Sequence, residues 1–130
     1  DTIRAAFFAP AAQGELTALA AQMAGRLNDR TLIPALAALA LADGPRQAGP
    51  ELRLIAAEAL GRMDPEMVLT GLAISFHTHP LPEVRMQAAA VLAWDRTPEG
   101  RAALSDLMAD QAPRVRIAAA GALLRRTAGR

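Results

Sequence analysis

The chain has 130 residues, 14 of them basic and 13 acidic for a net charge of +1, with no cysteine and 52% hydrophobic residues. That length suits one domain, and the lack of cysteine excludes a disulfide framework, a thiolate metal site and a thiol nucleophile. Near-neutral charge speaks against a dedicated nucleic-acid domain, and no apolar run reaches the roughly 18 residues of a membrane span.

Aromatic residues make up 3%, with no tyrosine, and much of the hydrophobic share is alanine. Such a core suits closely approaching helices, because Ala is the best helix former and is depleted in strands. All 14 basic residues are arginine, a bias that a GC-rich genome produces without any demand for guanidinium chemistry. The opening DTIRAAFFAP has neither methionine nor a signal-peptide pattern. Residues 1–13 read as an N-terminal extension or the end of a preceding repeat, in a chain excised or processed from something longer. Compartment is left open, with the cytoplasm as default.

In chain order, the spacing predicts helices over 15–27, 30–42, 50–63, 65–77, 82–94, 98–109 and 113–127, with 43–49 as the longest loop. The second helix is entered from Asn28 or Asp29, and Pro34 falls near its first turn, where it is tolerated. In the third, Leu52, Ile55, Ala56, Ala59, Leu60 and Met63 recur at helical spacing and share a face. DPE at 64–66 and TPE at 97–99 each supply a capping side chain, a first-turn proline and an acid suited to the helix dipole.

The chain repeats itself. PELRLIAAEALGRM (50–63), PEVRMQAAAVLAWD (82–95) and PRVRIAAAGALLRR (113–126) align at offsets of 32 and 31 residues. Pro50, Pro82 and Pro113 coincide, as do Arg53, Arg85 and Arg116, then Ala56, Ala88 and Ala119, then Leu60, Leu92 and Leu123. A fainter copy, GELTALAAQMAGRLN (14–28), lies 36 residues upstream of the first. A period of this size means stacked helical units, none able to bury its apolar face alone. The alanines at 56, 57, 88, 89, 119 and 120 let backbones approach closely.

The motif P-x-[VL]-R-x-x-A-A-x-x-L, at 50–60, 82–92 and 113–123, resembles the HEAT-like repeats, in particular the short variety of phycobilin-lyase-type proteins. The resemblance implies an all-α, right-handed α-solenoid of stacked helical hairpins. It would be one domain over 14–130, with repeats near 14–43, 50–79 and 82–110 and a partial one at 113–130. It also implies a protein-binding scaffold; some relatives are bilin lyases or their subunits, and a related branch comprises DNA glycosylases.

The candidates for chemistry are few. His77 and His79 lie in SFHTHPLPE beside Ser75, but zinc needs three or four protein ligands, and a contribution from Glu83 or Asp43 has no supporting spacing. The expectation is therefore a turn at a helix end, with no metal, cofactor or catalytic residue. Arg53, Arg85 and Arg116 form one column, either a structural ladder bonding to carboxylates and loop carbonyls or an anion-binding row. Arg26, Arg62 and Arg125 form a second column, in which the remaining copy carries Trp94. A position filled three times by arginine is not deep core, so Trp94 is expected to be partly exposed and flanked by guanidinium groups. That composition suits an interaction hot spot, and the other reading is a seam cover between repeats. The stretch 111–130, with Arg114, Arg116, Arg125, Arg126 and Arg130 and no acid, raises nucleic acid as an alternative partner. The expected function is a non-catalytic protein-interaction or scaffolding module.

Overall fold

The computed structural model describes residues 14–41 and 49–128, and every regular element among them is helical. The expected extension at 1–13 and the loop containing Asp43 lie outside the described residues. Among the described residues seven α-helices follow in order: α1 (Gly14–Arg26), α2 (Ile33–Leu41), α3 (Pro50–Met63), α4 (Thr70–Phe76), α5 (Pro82–Leu92), α6 (Pro98–Leu107) and α7 (Pro113–Ala128). Single 3-10 turns at Arg30–Leu32 and Pro65–Met67 precede α2 and α4.

Local chemistry sets the boundaries. Asn28, with φ 52°, closes α1 in the left-handed conformation common after helix ends. The Asp29 carboxylate then accepts from Thr31 N at 3.2 Å and starts the next turn. Proline opens α3, α5, α6 and α7, at positions where its missing N–H leaves no intrahelical bond unmade. Thr97 caps α6 by accepting from Gly100 N at 3.0 Å.

Two departures from the expected helices bear on the site. The one expected over 65–77 is split into the turn at Pro65–Met67 and the short α4. Asp64 causes this, taking Glu66 N on its carboxylate at 2.9 Å and Met67 N on its carbonyl at 2.9 Å, which closes one tight turn. The helix expected over 82–94 ends at Leu92, and Trp94 lies in the turn beyond it.

The chain forms two compact units, residues 1–67 and 68–130. In the first, α3 packs on both α1 and α2. Gly25 makes the α1–α3 approach possible, since a Cβ there would sit 3.0 Å from both Cα and Cβ of Ala59. In the second, α5 packs on α7, while α4 and α6 pack against the motif helices that follow them. Its core is Val84, Val91, Leu92, Leu104, Leu107 and Val115, with Ala73, Ala88, Ala89, Ala103, Ala119 and Ala122 filling the close approaches. Of the six alanines expected to be buried, five are fully so and Ala120 is only half-buried.

Ala89 has no exposed surface. Ala89→Leu inserts three carbons into that packing and is expected to cost about 1–3 kcal/mol of stability, as overpacking does. Chemical denaturation of the two proteins side by side checks this.

Candidate interaction surface and its buried support

The motif arginines turn back onto carbonyl oxygens of the preceding segment. Arg53 Nε donates to Ala40 O at 3.0 Å, in the last turn of α2. Arg85 Nη1 donates to His79 O at 2.8 Å and Pro80 O at 2.9 Å, just past α4. Arg116 Nη1 donates to Asp110 O at 2.7 Å and Gln111 O at 3.2 Å, just past α6. The last carbonyls of a helix and its exit turn lack intrahelical donors and carry partial negative charge, so a cation satisfies both needs at once.

Arg85 is also gripped from its other side. Its Nε and Nη2 meet the two Asp110 carboxylate oxygens at 2.7 and 3.0 Å, and Asp110 Oδ1 accepts from Ala112 N at 2.9 Å. The Arg85 bond, stronger than the opposing effect of burial, holds the Asp110 carboxyl below its ordinary range. The same bond raises the Arg85 guanidinium above its usual value.

Arg85 and Asp110 line an open cleft of about 790 Å³ between the turn after α4 and the turn after α6, with His77, His79 and Asp106 on its walls. The histidines serve those turns. His77 Nδ1 donates to Ile74 O at 2.6 Å, with Nε2 3.4 Å from an Asp106 oxygen, and His79 Nδ1 accepts from Leu81 N at 3.1 Å. Ser75 Oγ donates to Leu72 O at 2.7 Å, within its own helix. Among the described residues no group of three His, Asp or Glu side chains is placed to hold a metal ion. No described helix is long and apolar enough to cross a membrane.

In the second column, the structure brings Trp94 and Arg125 together. The guanidinium carbon lies 4.9 Å from the centroid of the indole ring, and Trp94 is half-buried while Arg125 is exposed. Arg26 and Arg62 belong to the first unit. There Arg26 is exposed at the end of α1, and Arg62 Nε pairs with Glu58 one turn away at 3.2 Å.

Sequence reasoning missed the network directly beneath this stack. Asp95 and Arg126 form an ion pair at 2.9 Å, with side chains only 2% and 7% exposed. Arg126 also donates to Leu92 O, Asp95 O and Thr97 O. Asp95 accepts further from Thr70 Oγ1 and from Thr97 N and Oγ1. A Cβ on Gly100 would come within 1.8 Å of Asp95 Oδ2, so only glycine lets the carboxylate sit against the start of α6. Arg126 is thus withdrawn from the basic surface that 111–130 suggested, and Arg114 is paired with Glu83. The available signal was Asp-x-Thr-Pro at 95–98, a capping pattern whose acid also needs a cation once buried.

Burial pushes the Asp95 carboxyl up, but the bonds from Thr70, Arg126 and Thr97 outweigh it and leave the group below its ordinary value. A carboxylate depressed in the fold contributes stability above its unfolded pKa, and that contribution fades as pH falls toward the folded one. Stability is therefore expected to decline below about pH 4, and Asp95→Asn is expected to flatten that acid limb in pH-resolved denaturation. Asp95→Ala strands a buried guanidinium and is expected to cost about 3–5 kcal/mol at neutral pH, measured the same way.

Against known families, the model for HEAT repeats matches residues 69–128. No curated protein and no solved structure gives a significant match to the chain. The matched segment takes in the motif helices α5 and α7 with the helices α4 and α6 that precede them. HEAT repeats generally mediate protein–protein interaction or scaffolding. Over residues 69–128, the chain is thus similar to the HEAT repeats.

Proposed function

We propose that the chain is a non-catalytic protein-interaction module whose contact in the second unit centres on the Trp94–Arg125 stack. The observation that supports this reading is the half-exposed indole lying under an exposed guanidinium. Trp and Arg are enriched among residues that dominate binding energy, and their stacking is worth about 0.5–2 kcal/mol as partner contact removes water. Arg26 and Arg62 hold the same repeat position in the first unit and are separate candidates for contact there.

The motif arginines have a different part. The bonds from Arg53, Arg85 and Arg116 to carbonyls and to Asp110 support a structural ladder rather than an anion-binding row. The nucleic-acid alternative loses Arg126 to the interior and finds Arg114 engaged with Glu83.

The test begins with a partner identified by cross-linking and then purified. Trp94→Ala is expected to weaken that binary complex by about 2 kcal/mol, or about thirtyfold, as loss of a hot spot does. Its affinity is expected to vary little with salt. A binding constant that survives Trp94→Ala unchanged removes the patch. DNA or RNA binding that falls steeply as salt rises moves the function to a polyanion.

A further inference from the structure

The second arginine column meets a carboxylate in one copy of the repeat and lacks one in another. In α3, Arg62 Nε lies 3.2 Å from Glu58 Oε2, the acid one turn earlier on the same face. The repeat alignment carries Glu58 to Ala90 in α5, four residues before Trp94, and to Gly121 in α7. Arg125, the counterpart of Arg62, therefore has glycine where the acid would stand. Gly121 is exposed, and a Cβ there would meet nothing within 4 Å. Packing does not call for glycine at this position, although glycine weakens a helix interior. What it leaves is open space beside Arg125.

Nothing else supplies the missing charge. Among the described residues no acid pairs with Arg125. Residues 111–130 contain none, and Asp95, next to Trp94 in sequence, is buried against Arg126. Stacking on Trp94 occupies only the flat face of the Arg125 guanidinium. Its N–H groups lie in the plane and keep their capacity for a bidentate carboxylate.

We propose that Arg125 receives a carboxylate from a partner protein, seated over Gly121 where α3 carries its own Glu58. An apolar side chain next to that acid covers the half-exposed indole of Trp94. The proposal rests on the protein-interaction reading and names the chemistry of the partner at that same site. A carboxylate fits better than a phosphate backbone. The internal precedent is a glutamate, and only one guanidinium is at hand. Arg114 is held by Glu83, Arg116 by loop carbonyls and Arg126 by Asp95. A nucleic acid, with a charge on every phosphate, needs a row of cations. One carboxylate on one arginine also keeps the salt dependence of binding shallow.

Trp94 is the single tryptophan and the chain has no tyrosine, so indole emission reads this site directly. The full chain is titrated with three short peptides and with inorganic phosphate. The peptides are Leu-Glu-Leu with both ends blocked, Leu-Gln-Leu with both ends blocked, and Leu-Gln-Leu with a free C-terminal carboxylate. A carboxylate peptide is expected to bind at least about tenfold more tightly than the neutral one or phosphate. The tighter of the two tells whether the acid is a side chain or a chain end. Gly121→Glu gives Arg125 an internal carboxylate, as Glu58 gives Arg62. It is expected to weaken that peptide at least about tenfold with thermal stability equal or higher. Gly121→Gln, of the same size without the charge, is expected to keep binding within about twofold, and Arg125→Gln to lose it. No binding, equal binding of the charged and neutral peptides, or tighter binding of phosphate overturns the proposal. So does an equal loss in Gly121→Gln and Gly121→Glu. A purified partner weakened by Trp94→Ala but not by Arg125→Gln or Gly121→Glu overturns this proposal and leaves the interaction reading intact.

Discussion

The second unit depends on the Asp95–Arg126 pair. Through it and its hydrogen bonds, the start of α4 at Thr70, the turn after α5, the cap of α6 at Thr97 and the last turns of α7 meet at one point. Burying two charges is costly, and a pair of this kind stabilises only when the remaining donors and acceptors are also satisfied. Here they are: no buried side-chain nitrogen or oxygen among the described residues lacks a partner. What the network secures above all is position. An alternative packing of α7 would break several charge-assisted bonds together, so one arrangement is strongly preferred.

That constraint reaches the surface through chain continuity. Trp94 precedes Asp95, and Arg125 precedes Arg126. Once Arg126 is fixed inward, Arg125 points about 100° away from it on α7, and Trp94 occupies the turn immediately before the fixed Asp95. The outer stack at 4.9 Å thus follows from the inner ion pair at 2.9 Å. If the proposed contact forms there, the preorganised stack spares a partner the entropy of ordering a tryptophan and an arginine.

The architecture was largely legible in the sequence because its causes are local and repeated. Pro50, Pro82 and Pro113 each open a helix, and the alanines around 56 and 88 are buried where the motif places them. The break before α4 was hidden because Asp64 bonds to its own following backbone, a competition between side chain and helix that a capping pattern does not resolve. The stack was legible in part: a tryptophan in an arginine column marked a surface position, yet its guanidinium partner could be named only by repeat alignment. The Asp95–Arg126 pair was not legible, since its members are 31 residues apart and nothing in a run of C-terminal arginines says which one turns inward.

Helical phase answers that last point. Arg125 and Arg126 are adjacent and chemically identical, but Arg126 shares a face with Val115, Ala119 and Ala122, whereas Arg125 lies beside the exposed Leu124. An arginine on the apolar phase of α7 must find a carboxylate or lose several hydrogen bonds, and Asp95 is the buried acid within reach. Its neighbour, a single step around the helix, keeps its charge at the surface and spreads over the indole. The division between the buried network and the exposed stack in this unit is therefore set by a rotation of one residue.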